Sequence, residues 1–460
     1  MVKALFLDRD GTINIDYGYV FQPEKFEFIN GIFELCRKAQ EKGYLIIVIT
    51  NQSGIARGYF SEQDFAKLNS YMLAEFTKQG IKITDVFYCP ELSGNDRKPN
   101  CGMFIKARDK YGIDMAQSVS VGDKERDIEA GTMIIVTGGA GFIGSNILEG
   151  LERQHYKDLV VIDTLGCEDK WKNIAKRELA AIVAPENALE YLNAHKDEIQ
   201  AIIHMGAIST TTEKDVDLII RSNFQLSWDM WCFCRDNNKQ FIYASSAATY
   251  GDGSKGFDDE DNQLYLNNLR PLNPYGWSKA LFDRKVCRER DEKRKLPKQY
   301  VGLKFFNVYG PNEYHKGGQK SVIAHIFPDV KNDNEVKLFK SYNPKYKDGW
   351  QLRDFVYVND IVCVILWMLE HPNISGLFNV GTGQARSFYD LAKATWSAMG
   401  KEPKIGFRDM PEELRGKYQY YTQANLEKLR RVGYLQPMTS LEDGVKDYIQ
   451  NYLNKDDMYK

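Results

Sequence analysis

Residues 133–146, MIIVTGGAGFIGSN, leave a chain few ways to fold. The apolar run at the start has the length and character of a buried parallel strand, and FIGSNILEGLER behind it reads as a helix. Between them stand Gly138, Gly141 and Gly144 in the pattern GxxGxxG. The first permits a tight turn, the second lets backbone approach a pyrophosphate, and the third lets helix pack on strand. A glycine pattern alone is weak. Here Asp163, closing the run DLVVID about 20 residues on, supplies a carboxylate for a ribose hydroxyl. The stretch predicts a dinucleotide-binding unit beginning at residue 133, with Asp163 at the ribose and its neighbour Thr164 also expected at the cofactor. Lys170 can meet a 2′-phosphate there, which tilts the cofactor toward NADP over NAD, although by itself it reads equally as an exposed loop lysine.

The 132 residues ahead of this unit need a fold of their own. VKALFL and LIIVIT, at 2–7 and 45–50, are again short apolar runs, each followed by an amphipathic helical pattern. After Met133 the runs MIIVTG, DLVVID, AIIHMG and FIYASS mark four buried strands. The expectation is an α/β chain of two tandem Rossmann-like domains, 1–132 and 133–460. From about Gly310 the rhythm gives way to polar, aromatic-rich segments such as FKSYNPKYKDGWQLRDFVYV, expected to be a loop-rich substrate cap. The nucleotide-binding core is thus placed at about 133–310 and a small α/β substrate portion mainly at 311–460.

At 460 residues the chain is long enough for two or three cores of roughly 100–200 residues each. A net charge of −2 provides no basic field, so neither nucleic acid nor membrane is expected as a partner. Eight cysteines without a CxxC pair fit reduced thiols, and Cys232 and Cys234 read as apolar helix residues. MVKALFLDRDG meets an acidic cluster instead of a signal-type apolar run, and no apolar stretch reaches 18 residues. A soluble, cytoplasmic protein is expected.

FLDRDGT sets Asp8 and Asp10 just beyond a buried strand, where open α/β sheets bind ligands. Two carboxylates there can hold a hard cation while one attacks phosphorus and the other shuttles a proton. Thr50 ends the next strand in VITNQSGIARG, Lys98 and Arg97 stand in DRKPNCGM, and Asp123 follows the run SVSV. In order and spacing these pieces resemble the haloacid-dehalogenase-type phosphatases, in their heptose-bisphosphate and histidinol-phosphate branch, over residues 2–131. The resemblance implies Asp8 as nucleophile, Asp10 as general acid/base, and Thr50 and Lys98 on the phosphoryl group. It also implies Mg²⁺ on Asp8, Asp10 and Asp123, with Ser53 and Arg97 at the substrate. Many members of that branch bind zinc through a loop of four ligands, but only Cys89 and Cys101 remain here, so no zinc is expected.

Ser245 and Ser246 end QFIYASS, and YGWSK puts Tyr275 and Lys279 four apart, on one helix face. A phenol near an ammonium can act as a base, and a serine can hold the reacting oxygen. Together with the glycine turn, this order is that of the extended short-chain dehydrogenase/reductases. Within them, IIHMGAISTTTE, YASSAATYG, LNPYGWSKALFD, FFNVYGPNEYHKG, RDFVYVNDI, GLFNVGTG and GKYQYYTQANL closely resemble the ADP-L-glycero-D-manno-heptose 6-epimerases across 133–460.

The resemblance implies oxidation of the heptose C6 alcohol and reduction from the other face, with Tyr275 and Lys316 as the proton carriers and Ser246 beside them. By the same matching, Phe142, Ile143, Met205, Gly206, Ala207, Ile208, Ser209, Asn223, Lys279 and Val308 belong to the cofactor. Asn307, Gly318, His325, Arg353 and Tyr418 belong to the substrate. Where the family often has serine two residues after the lysine, this chain has Gly318, which removes one side-chain hydrogen bond.

The reading is thus a fused epimerase and phosphatase, acting on ADP-heptose and heptose bisphosphate, expected to be a homo-oligomer. Alternatives are a histidinol-phosphate phosphatase or inactive remnant in the first domain, and a non-catalytic NADP-binding scaffold. Only nine residues separate Asp123 from Met133, too few for the helix, strand and closing segment that complete related phosphatases. MIIV cannot serve both sheets, so the first domain is expected to be truncated at its C-terminal end, with an exposed sheet edge.

Overall fold

The computed structural model describes residues 2–92, 96–98, 102–114, 118–122, 133–196, 198–415 and 418–460. The chain divides into two compact units, Met1–Gly131 and Thr132–Lys460. In the first, β1 (Lys3–Leu7), β2 (Tyr44–Asn51), β3 (Ile83–Cys89) and β4 (Val119–Val121) form a parallel sheet in the order β3-β2-β1-β4. Alternation along the strands sends Leu5, Leu7, Ile46 and Val48 to one face and Ala4, Phe6, Ile47 and Ile49 to the other.

Helix Glu62–Lys78 covers the first face with Leu68, Met72 and Phe76, spaced four apart. It begins at a capping box, in which the Ser61 hydroxyl accepts from Asp64 N–H and the Asp64 carboxylate accepts from Ser61 N–H. Helix Gly102–Tyr111 covers the second face through Met103, Phe104 and Ala107. The edge strand β4 pairs with β1 and, among the described residues, has no strand on its other side; Val119 is 46% exposed.

The second unit holds a parallel sheet of seven strands. The four expected runs form β5 (Met133–Thr137), β6 (Leu159–Ile162), β8 (Ile199–His204) and β9 (Gln240–Ser246), joined by β7 (Ala181–Val183), β10 (Gln299–Phe305) and strand Gly376–Val380. The order is Gly376–Val380, β10, β9, β8, β5, β6, β7. From β5 the chain builds outward to β6 and β7, then returns to lay β8 on the other flank of β5. That reversal opens a crevice at the carboxyl ends of β5 and β8.

The core does not close at about residue 310. Gly376–Val380 returns to pair with β10, because a parallel neighbour needs a crossover, and helix Val358–Leu369 lies in that crossover and packs in the sheet core.

Nor is the region beyond Gly310 mainly loop. It carries helices Val322–Lys331, Val358–Leu369, Phe388–Ala398 and Leu441–Tyr448, with one small sheet in which Leu352–Tyr357 and Ala385–Ser387 join Asn307–Tyr309 from just before Gly310, and another formed by Val336–Phe339 and Ile405–Arg408. Irregular chain is confined to stretches such as 340–351. Phe142, at the start of the glycine-turn helix, packs in one core with Tyr309, Ile323, Leu391 and Tyr448, so the cap is seated directly on the nucleotide-binding turn. Among the described residues no helix is long and apolar enough to cross a membrane.

Candidate functional site

β5 ends in the glycine turn, and two of its glycines are required by space. Gly138 has φ +65°, and a Cβ there would stand 2.6 Å from Gly206 N. At Gly144 a Cβ would stand 2.2 Å from Gly138 O. The helix Phe142–Arg153 therefore starts hard against the turn, and no side chain caps its first amides. Those N–H groups and the helix dipole suit an anion. Asp163, just past β6, accepts from Ala140 N–H at 3.0 Å and from Lys170 Nζ at 2.6 Å. Thr164 lies outside the cleft, its N–H given to Asp163.

A buried chain of hydrogen bonds holds the crevice in shape. Thr137 Oγ1 accepts from Gly206 N–H and meets His204 Nδ1 at 2.7 Å, while His204 Nε2 meets Ser227 Oγ at 2.8 Å. Ser227 donates its one proton to Asn223 O, so His204 donates from Nε2, and Nδ1 accepts from Thr137. Burial pushes the imidazole down to about 3, which keeps it neutral. Asn223 clamps Ile208, accepting from its N–H and donating to its carbonyl, and also donates to Ser278. Asn223 and Ile208 thus support the cofactor loop from behind and do not line the cleft.

Helix Pro274–Asp291 starts at Asn273, whose side chain accepts from Gly276 N–H, with proline in its first turn. Tyr275 and Lys279 face the cleft from this helix, opposite Ser246 at the end of β9. Burial raises the Tyr275 phenol, and a hydrogen bond with Ser246 pulls it back. Burial pushes the Lys279 ammonium down to about 8, against the field of Asp283. Asp283 and Lys304 form a fully buried ion pair of 2.6 Å behind the site; Asp283 also accepts from Ser245 and Tyr243. Neither member was singled out from the sequence: Asp283 closes LNPYGWSKALFD and Lys304 precedes FFNVYGPNEYHKG, and nothing local pairs the two.

The cap completes a cleft of about 1630 Å³ whose walls include the glycine turn, Met205, Ala207, Ser209, Asn307, Val308, Lys316, Gly318 and Tyr418. Lys316 sits on a short helical turn, its ammonium 5.6 Å from the Phe142 ring centre. Burial lowers it, and Glu313 opposes that shift. Arg353 is 7% exposed and stacks over Tyr418 and Phe388, with no carboxylate partner among the described residues. A buried guanidinium aimed into a cleft suits a phosphate or carboxylate. His325 lies off the lining, its Nε2 3.3 Å from Gly318 O.

In the first unit, Asp8, Asp10, Ser53 and Arg97 line a pocket of about 240 Å³ with Asp16, Tyr19, Asn51 and Gln52. Lys98 Nζ lies 2.9 Å from Asp8 Oδ1, both buried. Asn51 grips the Lys98 backbone with two 2.8 Å hydrogen bonds, and Gln52 donates to both Thr50 Oγ1 and Asp10 Oδ2. Arg9 holds Asp10 through Nε and Nη2. Asn51 and Gln52 directly follow Thr50 in VITNQSGIARG, but only the fold reveals what they hold. Asp123 and Cys101 lie outside the described residues.

Residues 134–381 match the NAD dependent epimerase/dehydratase family, and residues 3–157 match the Polynucleotide kinase 3 phosphatase family. An ADP-L-glycero-D-manno-heptose-6-epimerase from Fusobacterium nucleatum is 49% identical over 335 residues, covering 71% of this chain and 100% of its own. One from Nitratidesulfovibrio vulgaris is 46% identical over 324 residues, covering 70% of this chain and 98% of its own. Among solved structures, an ADP-L-glycero-D-manno-heptose-6-epimerase from Helicobacter pylori superposes with a TM-score of 0.57 at 29% identity, over 70% of this chain and 96% of that one. A UDP-glucuronic acid 4-epimerase from Bacillus cereus, in complex with a fluorinated UDP-glucuronic acid and NAD, gives 0.55 at 25% identity, over 70% and 99%.

Proposed function

Because the chain belongs to the NAD dependent epimerase/dehydratase family, and within it to the ADP-L-glycero-D-manno-heptose-6-epimerases, we propose that residues 133–460 invert C6 of ADP-D-glycero-D-manno-heptose with bound NADP. The observation that carries this is one cleft presenting Ser246, Tyr275 and Lys316 from three separate elements beside an uncapped, glycine-bounded helix N-terminus. The turn fits a dinucleotide, since Gly138 and Gly144 let the helix start directly against the turn and its first amides carry no side-chain cap. Gly141, Phe142, Ile143 and Gly144 would hold the pyrophosphate and Asp163 the ribose. Lys170 neutralises Asp163 and so favours a 2′-phosphate beside it. When bound, the cofactor supplies a reversible hydride acceptor.

Inversion requires each face of C6 to be presented in turn, so each orientation of the sugar needs its own proton carrier. Tyr275 Oη serves one, with Ser246 Oγ fixing the reacting oxygen, and Lys316 Nζ serves the other. Arg353, which has no carboxylate partner among the described residues, binds the diphosphate.

The first domain, 1–132, is proposed to be a phosphatase for D-glycero-D-manno-heptose 1,7-bisphosphate. Asp8 attacks phosphorus, Asp10 moves the proton, and Thr50 and Lys98 hold the phosphoryl oxygens. Asp8, Asp10 and Asp123 would carry Mg²⁺, which offsets phosphoryl charge. Support comes from the buried Lys98–Asp8 pair and the small polar pocket. The two family matches overlap at 134–157, yet β5 is flanked by β6 and β8 and has no edge left for the first sheet. This supports a boundary at 132/133 and a phosphatase lacking its closing elements. An adenylyl transfer separates the two reactions, so their fusion offers no direct channel between consecutive steps.

The test is to incubate the purified chain with ADP-D-glycero-D-manno-heptose and follow C6 by NMR, and to measure phosphate release from heptose 1,7-bisphosphate and histidinol phosphate. Wild type inverts C6, and Tyr275→Phe with Lys316→Met loses at least about a hundredfold in rate. Unimpaired inversion in the double variant would refute the reading.

A further inference from the structure

Lys316 stands on a loop that a single carboxylate closes. The segment 314–320 leaves Glu313 and re-enters regular structure at Ser321, the N-cap of helix Val322–Lys331. Glu313 is 1% exposed, and both its oxygens are engaged. Oε2 accepts from Ser321 N–H at 2.6 Å; Oε1 accepts from Ser321 Oγ at 2.6 Å and from Tyr448 OH at 2.9 Å. The carboxylate thereby pins the two ends of the loop together and ties them to helix Leu441–Tyr448.

Between the pins, Tyr314 donates to Met458 O and packs on the Tyr448 and Tyr459 rings, and His315 Nδ1 lies 3.1 Å from Asn173 Nδ2, whereas past Lys316 the chain thins out: Gly317 has φ +52°, and a Cβ at Gly317 or Gly318 would touch nothing. Lys316 makes no ion pair among the described residues, and its main charged influence is Glu313. A buried acid fixing a loop from its two ends, three residues from a cleft lysine, is more than helix capping needs, since the Ser321 hydroxyl already accepts from Ala324 N–H.

We propose that Glu313 is a positioning residue for Lys316: it closes the loop 314–320 so that the ammonium stays in the cleft, and it is the counter-charge that keeps the ammonium protonated. The proposal rests on Lys316 being a proton carrier. The groups near Lys316 are Glu313, the neutral His315 on the same turn, the Lys170–Asp163 pair close to His315, and the Phe142 ring. Removing the Glu313 charge lowers the pH at which Lys316 loses its proton, so the alkaline limb of the rate profile moves to lower pH.

The experiment uses the full chain with ADP-D-glycero-D-manno-heptose. Glu313→Gln, which keeps the shape, and Ser321→Ala, which removes one hydroxyl donor, are compared with wild type, Lys316→Met and the Glu313→Gln/Lys316→Met double variant. Expected are a fall in kcat of roughly 10–100-fold for Glu313→Gln with KM within about threefold, a smaller fall for Ser321→Ala, and a double variant no slower than Lys316→Met. Tryptic cleavage after Lys316, mapped by mass spectrometry, accelerates in Glu313→Gln. Losses that multiply in the double variant, or cleavage at the wild-type rate in Glu313→Gln, overturn the proposal. Full activity in Lys316→Met would instead remove the reading beneath it.

Discussion

At His204, burial and hydrogen bonding together fix both the charge and the tautomer of one ring. Neutral, with Nε2 protonated, it links the turn after β5 to the helix that carries Asn223. In the unfolded chain the same imidazole titrates near its ordinary value of 6.5, whereas in the fold it is pushed down to about 3. As pH falls below about 6.5 the unfolded state takes a proton that the folded state refuses, so stability present above that pH is lost progressively toward about 3. Urea unfolding of the second unit between pH 7 and 4 should show this slope, and His204→Gln should flatten it by up to one proton. An unchanged slope would mean that other groups carry the acid sensitivity.

At the scale of the element, the strand–turn–helix from Met133 to Arg153 depends on contacts too close for any side chain. Gly144→Ala must push the helix away from Gly138 O, because the clash at 2.2 Å is with backbone that cannot rotate aside. The predicted result is a loss of NADP affinity of at least about tenfold, read by NADPH fluorescence titration, from disturbance of amides whose placement the anion requires. Unchanged affinity would show that the turn adjusts. Helix Pro274–Asp291 is less exposed to such failure: its N-cap and first-turn proline are local, and the Asp283–Lys304 pair locks it to β10.

For the whole molecule, two compact units with separate cores should unfold as two events. Calorimetry of the full chain should give two transitions. NADP at a hundred times its Kd should stabilise the one belonging to 133–460 by about 2.7 kcal/mol and leave the other in place. The transition of the first unit, whose β4 edge has no described neighbour on its outer side, should come at the lower temperature. A single transition moved as a whole by NADP would mean the units are energetically one.

How much of this was legible in the sequence follows from the range over which each feature is determined. β5, its turn and its helix were readable because strand period, glycine positions and helical spacing are settled within a few residues. Tyr275 and Lys279 share a face for the same reason, since residues four apart on a helix must. Asp8 and Thr50 could be placed because each ends an apolar run.

The tertiary structure alone decided what depends on distant partners. It brought Gly376–Val380 back to β10, set Asn223 behind Ile208 and left Arg353 without a carboxylate partner among the described residues. It also joined Glu313 to Tyr448 across 135 positions. No local pattern encodes such a pairing, because it exists only once the loop closures and helix packing that bring the two ends together have been made.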